Sequence, residues 1–184
     1  PNYNLLKEFD KIDNLDGIFS LNSTGHMKNY NTNVKEKVMI NDFFYKSPSV
    51  FKTNGIKNNY TFLLKNTNTD ADNSLTYEKN PNHDIATLVE YNSTYPLKKV
   101  TNDYTNIFKP KISLRYSPNN TRDIRDEEER IDTNNIFSLN RIGKNDTVEG
   151  GASFTYGTQF LKNNRDGSNL LDINIANLIR AKEN

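Results

Sequence analysis

Cysteine is absent from the 184 residues, which removes disulfides, thiolate nucleophiles and cysteine-based zinc sites together while leaving the compartment open. Histidine is nearly absent too: His26 and His83 stand far apart and in no metal-ligand spacing, so neither a metal centre nor histidine catalysis is expected. The chain contains no nucleophile elbow, phosphate loop or dinucleotide fingerprint, and it is read as a non-enzyme without catalytic residues or cofactor. No apolar run approaches the roughly 20 residues of a membrane-spanning helix, and no apolar signal region opens the chain. Neither sign of charge dominates, with 24 Lys+Arg against 23 Asp+Glu, so no global field calls for nucleic acid as a partner.

Apolar residues are also scarce. A hydrophobic fraction of 34% and a mean hydropathy of −0.85 are low for a soluble globule that must offset its chain entropy with a buried core. Either the chain is largely disordered, or it forms a barrel wall in which only every second strand residue need be apolar because the other face lines a wet lumen. The aromatics, ten Tyr and ten Phe, sit inside alternating segments, and that favours the wall.

The clearest alternation covers 107–116, where Phe108, Ile112, Leu114 and Tyr116 share one parity and Lys109, Lys111, Ser113 and Arg115 the other. Residues 147–161 repeat it with Val148, Ala152, Phe154, Tyr156 and Phe160 on one side. Residues 169–180 do so with Leu171, Ile173, Ile175 and Ile179. Shorter sets are Val34, Val38, Ile40 and Phe44; Tyr60, Phe62 and Leu64; Ile85, Val89 and Tyr91; and a less regular stretch from Gly17 to Met27. Turn chemistry at Asp16-Gly17, Asn54-Gly55, Pro81-Asn82, Pro118-Asn119-Asn120 and Asp166-Gly167 separates them. Long connections at 66–83 and 117–146 alternate with shorter ones at 46–55, 98–106 and 162–168, as in an up-and-down barrel with short periplasmic turns and long outer loops. The brief loop at 29–33 breaks that rule. Pro110 cannot donate to a ladder, so a bulge or break is expected there. The first fifteen residues, with Leu5, Leu6, Phe9, Ile12 and Leu15, suit a helical turn or a strand equally.

Three blocks within 106–160, NIFKPKISLRYSPNN, RIDTNNIFSLNRIGKNDTVEGG and ASFTYGTQF, resemble the C-terminal barrel region of the lipopolysaccharide-assembly outer-membrane protein family, the LptD or organic solvent tolerance family. The residues that carry the resemblance are Tyr116, Ser117 and Pro118; Phe137, Asn140 and Arg141; Gly150 and Gly151; and Tyr156 and Gly157. It implies an all-β, antiparallel meander forming part of a transmembrane barrel in the outer membrane of a Gram-negative cell. It also implies lipopolysaccharide and outer-membrane lipids as partners, with an LptE-like lipoprotein in the lumen and a periplasmic Lpt bridge. The family's cysteines and N-terminal periplasmic jelly-roll are missing, and the chain opens at Pro1, so residues 1–184 are expected to be one piece of a barrel domain. About seven or eight strands and a long loop at 117–146 are expected, as an open, curved sheet if isolated, with poor order before residue 17 and within 119–134.

Lys109, Lys111 and Arg115 share the polar parity and are candidates to face the lumen and lipopolysaccharide phosphates, although solvated lumen residues would look the same. Asn140, Arg141, Glu149, Gly150 and Gly151 are candidates for a structured, inward-folded loop in which Arg141 pairs with Glu149 or Asp146. The charged run Asp123 to Asp132 reads as a solvated loop before it reads as a cation site, having no EF-hand spacing. Other readings are a porin or receptor barrel, and a soluble β-sandwich carbohydrate-binding module, in which the apolar parity would bury against a second sheet.

Overall fold

The computed structural model describes residues 1–9, 16–30, 33–51, 53–119, 124 and 130–181. It is an all-β, antiparallel meander in one open 10-stranded sheet. In chain order the strands are β1 (Asn2–Phe9), β2 (Ile18–Asn29), β3 (Lys35–Lys46), β4 (Val50–Phe51), β5 (Lys57–Asp72), β6 (Asn82–Thr94), β7 (Leu97–Val100), β8 (Tyr104–Ser117), β9 (Gly151–Asn164) and β10 (Asn169–Arg180). The hydrogen-bonded path runs β1-β2-β3-β5-β6-β8-β9-β10, while β4 pairs with β5 and β7 with β8.

The short strands are continuations of β3 and β6 past prolines. Ser47 keeps the β3–β5 register by donating its amide to the Tyr60 carbonyl at 2.9 Å, and past Pro48 the pairing slips by one residue, to Val50 with Asn58. Between β6 and β7, Tyr95 and Pro96 leave the register unchanged, since Thr94 faces Lys111 and Leu97 faces Phe108. The break expected at Pro110 therefore falls across the ladder, at Tyr95–Pro96: β8 runs straight through Pro110, whose carbonyl accepts the Tyr95 amide at 3.0 Å.

Residues Asn2–Phe9, for which poor order was expected, form a full edge strand paired with β2. The expected 147–161 strand starts only at Gly151, because residues 147–150 belong to the preceding loop. Ile12, Leu15, Asn120 and most of the run from Asp123 to Glu129 lie outside the described residues. The strand ends flanking 10–17, 47–56, 101–103 and 165–168 lie at one end of the sheet, the turn end; those flanking 30–34, 73–81 and 118–150 lie at the other, the loop end.

The two faces of the sheet are opposite in character. On one, Ser113, Arg115, Ser117, Ser153, Thr155, Thr61, Lys65, Thr67 and Glu90 are buried beside Leu63 and Leu88. On the other, Phe62, Phe108, Ile112, Leu114, Tyr116 and Tyr156 are exposed, with Leu114 at 50% and Tyr116 at 55%. This inverts a soluble sheet, which buries its apolar parity. The face that buries polar groups is covered by residues 132–150. The other is bare: all strands lie in one sheet, and no second sheet packs on it among the described residues.

The apolar residues of the bare face run obliquely. Phe9, Phe19, Tyr45, Phe62, Val89 and Tyr116 form one straight cross-strand row. From it the apolar positions of β8 continue toward the turn end to Phe108, whereas those of β1 continue toward the loop end to Leu5 and Tyr3. Rings meet across neighbouring strands, with Phe19 and Tyr45 4.7 Å apart and Tyr60 and Tyr91 5.0 Å apart.

Candidate functional site

The covered face and its loop collect and seal charged groups among the described residues. The loop begins with a turn built on Asp132, whose carbonyl accepts the Ile136 amide at 2.9 Å and whose carboxylate accepts the Asn134 amide at 2.7 Å. Asn140 closes a second turn by donating to the Lys144 carbonyl at 2.8 Å. Gly143 (φ 72) and Gly151 (φ 82) occupy the left-handed region, which explains glycine at both positions. Gly150 lies just before the strand, half-buried.

Folded this way, the loop lays Ile136, Ile142 and Val148 inward as buried side chains. Val148 packs with Leu63 and the fully buried Leu88, and Phe44, Ala86 and Leu139 surround them. Two polar ties fix the flank: Lys65 Nζ donates to the Asn145 carbonyl and to Asp42 Oδ1, both at 2.6 Å, and Thr67 Oγ1 to the Asp146 carbonyl at 3.3 Å.

Beside this small core sits an ionic cluster. Arg141 chelates Glu149, with Nη2 2.9 Å from Oε1 and Nε against Oε2. The same guanidinium donates to Ser153 Oγ at 2.8 Å and Thr155 Oγ1 at 3.2 Å. Arg115 reaches Glu149 Oε2 at 3.1 Å, and Arg180, from edge strand β10, reaches Oε1 at 2.9 Å. Glu90 is buried nearby, held by Ser113 at 3.2 Å and Asn92 at 2.8 Å. Burial opposes the charge on Glu149, but hydrogen bonds and charge from Arg141, then the charges of Arg115 and Arg180, hold its carboxyl below the usual glutamate range.

The expected Arg141–Glu149 pair is therefore present, and Asp146 is not the partner that Arg141 uses. Arg115 shares a face with Lys109 and Lys111 as expected, but it is only 5% exposed and committed to Glu149, so it anchors the loop. Lys111 is half-buried, its Nζ 5.8 Å from the Phe137 ring centre, and Lys109 is half-buried opposite Gln159. These two lysines lie on the covered face on the turn-end side of the cluster. Sequence reasoning missed Arg180, Lys65 and Asp42. Lys65 carried a readable signal, since it continues the parity of Thr61, Leu63 and Thr67. Arg180 carried none, because its role depends on how the loop returns to the sheet edge.

Chemically the cluster is an anchor. Arg115, Arg141 and Arg180 all converge on Glu149, and among the described residues no group of three or more His, Asp or Glu is placed to hold a metal. Among the described residues no helix is long and apolar enough to cross a membrane. Against known proteins, the sequence matches no protein-family profile and no curated protein.

Proposed function

We propose that the chain is part of the wall of an outer-membrane β-barrel that inserts lipopolysaccharide into the outer leaflet. The observation that carries the barrel half of this reading is the inverted pair of faces. A sheet with Phe108, Ile112, Leu114 and Tyr116 bare, and Ser113, Arg115 and Ser117 buried, suits a wall whose bare face meets lipid and whose other face meets an aqueous interior. The bare apolar stretch of β8, from Phe108 to Tyr116, is about 27 Å long at 3.4 Å per residue and rises about 21 Å at a tilt of roughly 40°, within an outward band of about 25 Å in such barrels. Its oblique course across the strands matches walls whose strands tilt roughly 40° from the membrane normal.

The lipopolysaccharide half rests on the three blocks in 106–160. Lys109 and Lys111 supply cations for its phosphates on the interior face, and the LptE-like lumen partner and periplasmic bridge belong to the same reading. A general porin or receptor barrel is the second reading, favoured by the loop 132–150, which lies against the inner wall where it would constrict a channel. A soluble carbohydrate-binding sandwich is disfavoured by the single sheet.

A photoreactive residue at Lys109 or Lys111, introduced into the chain in its native outer membrane, tests the distinction. Lipopolysaccharide adducts at these positions are expected. Adducts at bare-face Leu114 alone, with none at any interior position, would leave the barrel standing and remove the transport path.

A further inference from the structure

The bare face ends differently at its two ends, and the loop end carries a hydrogen-bonded chain of polar groups that crosses from β1 to β6. Tyr3 Oη lies 3.4 Å from Ser23 Oγ, Ser23 donates to Asn41 Oδ1 at 2.7 Å, and Asn41 donates to Asn66 Oδ1 at 3.2 Å. Asn68 donates to the same Asn66 oxygen at 2.6 Å, and His83 Nδ1 lies 2.7 Å from Asn68 Oδ1. The next row outward is charged, Lys37 facing Asp70 with 2.8 Å between them. At the turn end, Lys99 and Lys162 flank Asn106 in one row, with Lys162 Nζ 4.1 Å above the Tyr104 ring.

Between these limits the bare face of β2 through β10 carries no Lys, Arg, Asp or Glu among the described residues. Lys7 on edge strand β1 is the exception, and it folds over Phe9. On β5 the uncharged stretch from Asn58 to Asn68 is about 34 Å long at 3.4 Å per residue. At a tilt of roughly 40° it rises about 26 Å, close to the apolar band of a barrel wall.

We propose that the ladder from Tyr3 to His83 is where the wall leaves the hydrocarbon at its loop end, its amides facing the headgroups of the surrounding bilayer. The inference rests on the barrel-wall reading and adds the depth of each residue. Sideways pairing explains how these groups tolerate the edge of an apolar layer, where an unpaired amide is penalised. Each amide nitrogen has two hydrogens, and Asn41 and Asn68 each use one in the ladder, leaving donors for the acceptor-rich phosphate and ester oxygens of lipid headgroups. Ion pairs such as Lys37–Asp70 then begin one row later, in water.

The cysteine-free chain permits a direct depth measurement. The variants Phe62→Cys, Leu114→Cys, Asn66→Cys, Asn68→Cys and Asp70→Cys, each carrying a nitroxide in the full chain in phosphatidylcholine vesicles, are compared for collision with oxygen and with a water-soluble nickel chelate. Labels at Phe62 and Leu114 should favour oxygen, that at Asp70 the chelate, and those at Asn66 and Asn68 should fall between. If Asn66 and Asn68 are as deep as Leu114, or as wet as Asp70, the boundary is elsewhere and the inference fails while the wall reading stands. If Phe62 and Leu114 are also as wet as Asp70, the wall reading itself fails.

Discussion

Replacing Glu149 by Gln would leave Arg115, Arg141 and Arg180 gathered without their shared counter-charge, two of them buried. Removing one partner from a buried ion pair typically destabilises by about 3–5 kcal/mol, so Glu149→Gln and Arg141→Ala should each release the loop, read as protease cleavage within 136–142. Unchanged cleavage would mean that the cluster does not hold it. The same geometry sets a pH dependence. Because Glu149 has its carboxyl lowered in the folded chain, its contribution is complete above the ordinary value of 4.5 and is lost as pH falls through the depressed one. Anisotropy of a dye at Ser138→Cys should therefore stay constant as pH falls from 8 to the ordinary glutamate value of 4.5 and drop only below it. In Glu149→Gln it should be low throughout.

Among elements, the loop depends on sheet contacts as much as on charge. Leu88→Ala removes the centre of the Leu63–Leu88–Val148 cluster. It should destabilise by about 2–5 kcal/mol in urea unfolding, whereas bare-face Val89→Ala in detergent should change stability far less; equal losses would contradict the assignment of faces. This scale is also where the sequence was most and least readable. Strands β8, β9 and β10 were legible because parity alone specifies them, and the Arg141–Glu149 pair because its two residues lie close together in sequence. The edge strand β1 was not legible, since the spacing of Leu5, Leu6 and Phe9 suits a helical turn and a strand equally; pairing with β2 decides it. The Arg180 tie was hidden for another reason: it joins segments far apart in sequence, and only the fold of the loop brings them together.

For the whole molecule, the inverted faces make substitutions asymmetric. A cation at the bare face, Leu114→Arg, should destabilise the membrane-embedded chain by about 2–4 kcal/mol if that position lies near the bilayer midplane. Lys109→Gln on the interior face should be nearly neutral, and urea titration in vesicles would compare them. The free edges β1 and β10 expose unpaired backbone, so the isolated chain in water is expected to aggregate, and to do so less once lipid is present. Because the chain has no tryptophan, one measurement reaches the central claim: single-tryptophan variants Leu114→Trp and Lys111→Trp in vesicles of brominated phosphatidylcholine. Strong quenching by the lipid at Leu114→Trp, with Lys111→Trp instead quenched by aqueous acrylamide, is the result predicted; equal quenching at both positions, or the reverse order, would contradict the assignment of the bare face to lipid.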